Sequence, residues 1–234
     1  MIEQNKIQII LKKLKNLSNP KNIEGMARFG INSKNTYGVL IPDLRKLAKE
    51  IGKDHVLAQG LWDSGIHEAK ILASMIDELG LVIEKQMDNW IKDFDSWDVC
   101  DQVCMNLFDK TSFAFEKAIE WTKNKTEFER RAGFALMACL AFHDKTSSDK
   151  KFLKFFPYIE KYSTDERNYV RKAVNWALRQ IGKRNINLNK LAIEKAKEIL
   201  KIDSKSAKWI ASDAIRELTS EAVQARLKKT KFKK

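Results

Sequence analysis

Residues 130–141, RRAGFALMACLA, form one of three stretches of similar character in this chain. The other two are VRKAVNWALRQIG at 170–182 and WIASDAIRELT at 209–219. In each stretch, basic residues accompany alanines and larger apolar residues that recur at helical rather than alternating spacing. The stretches follow one another at intervals of roughly 40 residues, which is the length of a repeat made of two helices.

The segments around these stretches also have helical signals. Amphipathic segments at 151–163 and 188–200 lie between the recurring helices. Proline stands where a helix can begin in Asn19-Pro20 and Ile41-Pro42. Capping boxes, in which a hydroxyl and a carboxylate satisfy the free donors of the first turn, are predicted at 126–129 and 163–166.

Turn residues are scarce, with 9 Gly and 3 Pro in 234 residues, and we find no convincing strand. We therefore predict an all-α fold, an α-solenoid of HEAT- or armadillo-like antiparallel helix pairs. In such a fold, equivalent helices of successive pairs line one concave wall, which is predicted here to be a basic cleft. The repeats are expected to form one domain over residues 1–227, followed by a disordered basic tail, KKTKFKK, at 228–234.

Several classes of protein are disfavoured by the sequence. It has neither a secretory signal nor an apolar run long enough to span a membrane, so we expect a cytoplasmic protein that binds no membrane. Cys100, Cys104 and Cys139 lie on apolar helical faces and are predicted to be reduced core thiols. His67-Glu68 begins like a zinc-protease motif, but Ile71 replaces the second histidine. We predict no metal site and no cofactor.

The formal net charge is +13. A basic excess of this size is typical of proteins that bind polyanions, because each cation that neutralises a phosphate releases a counterion. A surface that is basic for solubility explains the same number equally well.

Three helices carry residues that do not fit a simple core or surface position. On the helix that starts at Trp97, the core arc is predicted to be Cys100, Val103, Cys104, Leu107 and Phe108. The opposite, solvated face is predicted to be Asp98, Gln102, Asn106 and Asp109. Asp101 belongs to neither face and lies on the shoulder of the core, one turn after Trp97. A carboxylate there is partly desolvated, and pairing with a cation of a neighbouring helix explains it without any function.

The other two helices also carry residues that fit neither a simple core nor a simple surface position. Arg131 projects from a helix that is apolar nearly all round, where it needs a phosphate or a carboxylate, the latter including Asp101 itself. Arg130 is predicted to lie on the surface. Trp176 lies off the core stripe of its helix, beside Tyr169, and the flanking cations are Lys172, Arg179 and Lys183. This pattern suits either stacking on nucleic acid or a second helix-packing face.

Taken together, SWDVCDQVC, RRAGFAL, KAVNWALRQIGKRN and YGVLIPDLRKLAKEI resemble the AlkD-like DNA alkylation repair proteins. These are bacterial DNA glycosylases built from HEAT-like repeats, and the resemblance runs from about Gly25 to about Leu218. It implies an enzyme that hydrolyses the N-glycosidic bond of cationic N3- or N7-alkylated purines in double-stranded DNA. It also implies a monomer.

The resemblance assigns roles to four positions, Trp97, Asp101, Arg131 and Trp176. Asp101 stabilises the positive charge that develops on the deoxyribose, and the two tryptophans present their π faces to the lesion. Arg131 holds a nearby phosphate, with Tyr169, Lys172, Arg179 and Lys183 as further DNA contacts. Tyr37, Arg45, Glu68 and Lys70 are additional candidates for the cleft.

Two other functions remain open at this point. One is a non-catalytic helical scaffold that binds damaged or branched nucleic acid through the same basic wall. The other is a protein-interaction solenoid whose positive charge is incidental. The filled positions Trp97, Asp101, Arg131 and Trp176 argue for the enzyme against the scaffold, and affinity for duplex DNA at low salt would argue against the protein-interaction solenoid.

Overall fold

The structure is a computed structural model that describes residues 2–231. The chain divides into two compact units, residues 1–111 (unit 1) and 112–234 (unit 2). Every regular element among the described residues is an α-helix or a short 3-10 helix, which confirms the predicted all-α class. The prediction of one continuous repeat domain over residues 1–227 stays a prediction.

Unit 1 is built from short helices connected by tight loops. Its 3-10 turns cover Leu79–Leu81, Ile91–Asp93 and Phe108–Lys110. The α-helices in its described part are α1 (Ile2–Asn16), α2 (Pro20–Arg28), α3 (Ile41–Ile51), α4 (His55–Asp63), α5 (His67–Ile76), α6 (Glu84–Trp90) and α7 (Trp97–Asn106).

Polar contacts define how α5 and α7 lie in unit 1. The His67 ring is 2.8 Å from the Asp98 carboxylate, and Asn106 donates to the Ser74 hydroxyl at 3.2 Å. The starts of the two helices are therefore adjacent, as are their later turns, so α5 and α7 run parallel. This is the relation expected of equivalent helices in successive repeats.

An aromatic cluster fills the core of unit 1 beside these helices. Trp62 and Trp90 stack with ring centroids 3.9 Å apart, and the Trp62 indole N–H donates to Asp93 at 2.9 Å. Lys70 is buried, donates to the Asp93 carbonyl and lies 5.5 Å from the centroid of the Trp62 ring. Lys70 therefore has a structural position, and the earlier suggestion that it lines a cleft is wrong.

Unit 2 contains the three recurring helices recognised in the sequence, now α9, α12 and α14. A 3-10 turn covers Tyr162–Thr164. The α-helices in its described part are α8 (Ala114–Trp121), α9 (Glu127–His143), α10 (Asp149–Leu153), α11 (Phe156–Lys161), α12 (Asn168–Gly182), α13 (Ile186–Leu200), α14 (Lys205–Leu218) and α15 (Glu221–Lys231).

Side-chain to backbone hydrogen bonds set the order of these helices. Arg131 at the start of α9 donates to the Tyr169 carbonyl at the start of α12, and Asn175 of α12 donates to the Ile210 carbonyl of α14. Thus α9, α12 and α14 lie side by side and parallel. Asn189 near the start of α13 reaches the Leu218 carbonyl at the end of α14, so α13 and α14 form an antiparallel pair.

The predicted helix starts are confirmed where the side chain concerned has no competing partner. Pro20 and Pro42 lie in the first turns of α2 and α3 as predicted, and the Asn19 side chain caps α2. Thr126 is at the predicted N-cap position of α9 but makes no side-chain capping bond. The capping box at 163–166 is wrong, because the next helix begins only at Asn168.

Two segments differ from their predicted secondary structure. The amphipathic segment at 151–163 is split into α10 and α11, because Pro157 in the first turn of α11 has no N–H for a continuous helix. Helix α15 continues to Lys231, so residues 228–231 of the predicted disordered tail are helical. Residues 232–234 lie outside the described residues.

The close approach of α8 and α9 provides a test of the packing. A Cβ added at Gly133 would lie 2.7 Å from the Thr122 backbone nitrogen and 2.9 Å from the Ala118 carbonyl oxygen. We expect Gly133→Ala to lower the free energy of unfolding by about 1–3 kcal/mol, since overpacking against backbone outweighs the helix propensity gained. Urea unfolding followed by circular dichroism measures this.

Gly25, in the interior of α2, is the matched control. No atom lies within 4 Å of a Cβ added there. Gly25→Ala is expected to leave stability unchanged or to raise it by roughly 0.5–1 kcal/mol. Equal losses in the two variants would contradict the close approach.

Candidate active site

The start of α7 is held by the loop that precedes α3. Ser96 is the N-cap residue, but its hydroxyl donates to the Asp98 carboxylate at 2.7 Å rather than capping the helix. The Asp95 carboxylate accepts a hydrogen bond of 2.6 Å from Asn32. Ser96 therefore occupies the N-cap position without a side-chain capping bond, and Asp95 bonds to a loop residue instead.

Trp97 is fixed by the backbone of unit 1. Its indole N–H donates to the Phe29 carbonyl at 3.1 Å, and its side chain is half-buried. Phe29 itself is 74% exposed. The bond fixes one edge of the indole, and part of the residue remains available to a ligand.

Asp101 lies on the shoulder of the α7 core, as the sequence predicted. All five residues of the predicted core arc are buried, whereas Asp101 is half-buried one turn after Trp97. A carboxylate at that depth is accessible and yet shielded from bulk water on one side. An anion there interacts more strongly with a nearby positive charge than an anion fully exposed to water does.

The predicted solvated face of α7 is a packing face. Asp98 pairs with His67 of α5, Asn106 bonds to Ser74, and Asp109 is only 7% exposed. The prediction fails because short polar residues on both helices satisfy one another when α5 and α7 pack. Periodicity identifies a polar face but does not reveal whether water or another polar face covers it.

Glu68 is buried at 1% exposure and organises the loop before α3. One of its oxygens accepts from the Thr36 hydroxyl and from the Gly38 N–H, both at 2.6 Å. The backbone N–H groups of Tyr37 and Val39 also donate to it. Glu68 therefore supports the loop, and the suggestion that it lines a cleft is wrong.

In unit 2, Arg131 connects the starts of two parallel helices. It is 5% exposed, and its guanidinium donates to the Tyr169 carbonyl at 2.7 Å. The Tyr169 N–H donates in turn to Glu127 at 3.0 Å. Both backbone groups of Tyr169 are thus held by the first turns of α9.

Arg130, predicted to lie on the surface, is mostly covered. It pairs with Asp165 at 2.7 Å, donates to the Thr122 carbonyl and lies over the Tyr162 ring at 4.5 Å. Asp165 also pairs with Arg167. These pairings explain why the polar run at 163–166 does not cap a helix.

Helix α12 has the predicted division of faces. All six residues of its predicted core stripe are fully buried, namely Val170, Ala173, Val174, Ala177, Leu178 and Ile181. Trp176 is half-buried and Lys172 is exposed one turn before it. An indole and an ammonium group thus lie one turn apart outside the core.

Two of the predicted DNA contacts, Lys183 and Arg179, are paired with carboxylates of α14. Lys183 donates to Glu217 of α14 at 2.6 Å, and Arg179 pairs with the same carboxylate and lies 3.6 Å from Asp213. Burial raises the pKa of Glu217, but the hydrogen bonds and charges of Lys183 and Arg179 outweigh it, so the pKa lies below its usual range. Part of the positive charge predicted beside Trp176 is therefore neutralised.

Two features near these residues were not predicted from the sequence. The Phe29 carbonyl that positions Trp97 is a backbone group and leaves no signal in the side-chain pattern. Arg171 and Trp209 lie together, with the guanidinium carbon 4.8 Å from the ring centroid. Trp209, about one turn into α14 and beside Lys205 and Lys208, was a usable signal for that contact.

Comparisons with known proteins identify the family and the fold of this chain. A family model described as DNA alkylation repair enzyme matches residues 10–218. The chain belongs to this family. Among curated proteins no significant match is found.

A solved structure of another protein has the same fold as this member of the DNA alkylation repair family. It is described as a new family of proteins related to the HEAT-like repeat DNA glycosylases with affinity for branched DNA structures. The match has a TM-score of 0.79 at 20% identity and covers 94% of this chain and 95% of that chain. The predicted HEAT-like helical repeat fold is confirmed. Within residues 2–231 no helix has both the length and the apolarity to cross a membrane.

The contact between α5 and α7 predicts a pH dependence of stability. Burial lowers the pKa of His67, but the hydrogen bond and charge of Asp98 outweigh it, so the pKa lies above its usual 6.5. Burial raises the pKa of Asp98, and its hydrogen bond and charge interaction with His67 bring it below 3.8. Below the raised pKa of His67, the pair is an imidazolium facing a carboxylate.

The stability from His67 is fully present below about pH 6.5 and is lost as the pH rises through the higher folded pKa. The stability from Asp98 is present above about pH 3.8 and is lost as the pH falls through its lowered folded pKa. We expect the free energy of unfolding to fall as the pH rises above about 6.5 and through the raised pKa of His67, measured by urea unfolding at each pH. Asp98→Asn should flatten this decline, and an unchanged pH profile in that variant would contradict the pairing.

Proposed function

We propose that the chain is a DNA glycosylase that hydrolyses the N-glycosidic bond of cationic N3- or N7-alkylated purines in double-stranded DNA. The observation that carries the proposal is the pair on α7. Trp97 is fixed by the Phe29 carbonyl, and Asp101 lies half-buried one turn later. Membership of the DNA alkylation repair family makes alkylated DNA the substrate class to test.

The chemistry of such lesions fits a site with few groups. Alkylation at N3 or N7 makes the base cationic, so it leaves as a neutral molecule without a proton donor. Positive charge then develops on the deoxyribose as the bond breaks. We assign to the Asp101 carboxylate the stabilisation of that charge and the orientation or deprotonation of the attacking water.

The π face of Trp97 supports the same charge. A cation over an indole is stabilised by about 0.5–2 kcal/mol, more where water is excluded. Because Phe29 holds the indole N–H, the ring needs little ordering when DNA binds. We assign the corresponding π contact in unit 2 to Trp176, with Lys172 as a phosphate contact beside it.

In this proposal Arg131 has a structural role in addition to the phosphate contact that the resemblance implies. Its 5% exposure leaves little of the guanidinium for a phosphate, and its bond to the Tyr169 carbonyl fixes the first turn of α12. We therefore propose that Arg131 is mainly a positioning residue for α12, the helix that carries Trp176. Direct contact between Arg131 and a phosphate, implied by the resemblance, stays a prediction.

The decisive experiment removes the Asp101 charge. We expect Asp101→Asn to retain the fold and DNA affinity but to slow release of N7-methylguanine from methylated duplex DNA by at least about 100-fold, the usual contribution of a positioned base. Single-turnover assays with excess protein separate this chemical step from binding. Circular dichroism checks the fold.

Asp63→Asn is the matched control, since Asp63 is exposed at the end of α4 in the same unit. It removes the same charge and should leave base release unchanged. Full activity in the Asp101 variant, or equal losses in both, would exclude Asp101 from the chemistry.

A second candidate function is supported by the solved structure with the same fold, which is described as having affinity for branched DNA. A non-catalytic protein of this kind would bind a four-way junction more tightly than a linear duplex of the same length. It would release no base from methylated DNA. Anisotropy titrations with both probes, run beside the base-release assay, distinguish the two functions.

We expect similar affinity for the junction and the duplex, together with base release. Preference for the junction without release would favour the second function. In that case Asp101→Asn would change neither measurement.

A further inference from the structure

His67 and Glu68, the dipeptide that begins like a zinc-protease motif, stand in the first turn of α5 and are both buried. The Nε2 atom of His67 lies 2.8 Å from one carboxylate oxygen of Asp98 in α7. The other oxygen of Asp98 accepts a hydrogen bond of 2.7 Å from the Ser96 hydroxyl. Asp98 is thus held from two sides, by the residue before α7 and by a ring of α5.

Asp98 lies in the turn that carries the proposed chemistry. Trp97 precedes it directly, and Asp101 follows three residues later, a spacing that makes two side chains neighbours on a helix surface. A helical turn moves as a unit, because each backbone N–H is bonded to the carbonyl four residues before it. A contact that fixes Asp98 therefore also fixes the direction in which Trp97 and Asp101 project.

The first turn of α5 also holds the loop over residues 29–40 that precedes α3. The His67 backbone N–H donates to the Asn35 carbonyl at 2.9 Å, and the Glu68 carboxylate accepts from the Gly38 N–H at 2.6 Å. Asn35 has a φ of 53°, a left-handed conformation that asparagine adopts more readily than most residues. Both residues of the dipeptide thus fix the shape of this loop.

The same loop leads back to α7. Its first carbonyl, that of Phe29, accepts the Trp97 indole N–H at 3.1 Å. Asn32 donates to the Asp95 carboxylate, just before α7, at 2.6 Å. The start of α7 is therefore connected to the first turn of α5 by two routes, directly through Asp98 and indirectly through the loop.

The direct route depends on the charge of His67. Burial lowers the pKa of His67, but the hydrogen bond and charge of Asp98, together with the charges of Glu68 and Asp95, raise it above 6.5. These carboxylates belong to α7, to α5 itself and to the loop before α7, and all three favour the imidazolium. As the pH rises through the raised pKa, the ionic attraction to Asp98 is lost and only a hydrogen bond from a neutral ring remains.

We propose that His67 is a positioning residue for Trp97 and Asp101, that it acts through Asp98, and that it holds them most firmly when it is protonated. The inference rests on the proposed glycosylase function and adds to it a buried residue that sets the pH dependence of base release. His67 is 5% exposed, so it acts through Asp98 rather than by contact with DNA.

The test compares His67→Gln with the wild-type chain over a series of pH values. Single-turnover release of N7-methylguanine, corrected for release without protein, should slow in the wild type as the pH rises above about 6.5. Glutamine can still donate to Asp98 but has no proton to lose, so the profile of the variant should be flat. Its rate at low pH should be roughly 3- to 10-fold below that of the wild type, since a displacement of about 1 Å costs about 100-fold and a conservative variant displaces the turn less.

His55→Gln is the matched control. His55 of α4 also pairs with a buried carboxylate, that of Asp77 at 2.6 Å, but this pair joins the start of α4 to the end of α5. The control removes a histidine–carboxylate pair from the same unit and should keep the wild-type pH profile of base release. Circular dichroism at each pH checks that both variants stay folded.

A second measurement needs no base release. The chain has six tryptophans, and the indole N–H resonance that disappears from the NMR spectrum in Trp97→Phe belongs to Trp97. We expect this resonance to shift with pH alongside the ring resonances of His67. The shift should be absent in His67→Gln and should persist in His55→Gln.

A decline of base release that persists in His67→Gln, or that is lost equally in His55→Gln, would overturn the role of His67. A Trp97 resonance that does not follow the titration of His67 would overturn it as well. A wild-type chain that releases no base at any pH would overturn the glycosylase. In that case a Trp97 resonance that still follows His67 would keep the positioning of Trp97.

Discussion

Unit 2 depends on the way the first turn of α9 holds the backbone of Tyr169. Arg131 donates to the Tyr169 carbonyl, and Glu127 accepts from its N–H. Apolar packing between helices is tolerant of sliding, whereas these two bonds fix the start of α12 to one turn of α9. At the other end of the helices, Arg184 donates to the Ala141 carbonyl at 3.0 Å. The register of α9 and α12, and with it the position of Trp176, is thus set at both ends.

The apolar spacing predicted the existence, order and core faces of these helices. Every residue of the predicted core stripe of α12 and core arc of α7 is buried, because a helix buries the arc that concentrates apolar surface. The failures involve polar residues with two possible partners. Asp165 could cap a helix or pair with arginines, and it pairs with Arg130 and Arg167. Asp98 could face water or His67, and only the packing of α5 on α7 determines which.

The candidate site was predictable in part for the same reason. Asp101 and Trp97 stand out because their residue types do not fit their positions on the helix. Helical periodicity in the sequence alone is enough to detect this mismatch. The support of Trp97 by the Phe29 carbonyl depends on a loop whose shape comes from the buried Glu68 carboxylate. Such support combines a backbone group with a partner 30 residues away, and no local spacing encodes it.

Charge pairing determines which cations of this basic protein remain available to a polyanion. A cation already facing a carboxylate gains less from a phosphate, because the existing pair must be broken or the carboxylate left facing the anion. Arg179 and Lys183 are in that position beside Glu217. Lys172 is exposed, and Arg171 faces an indole instead of a carboxylate. The net charge of +13 therefore suggests a stronger positive potential near α12 than the paired cations produce. Whether each cation is already paired with a carboxylate is a better guide to a DNA contact than the net charge.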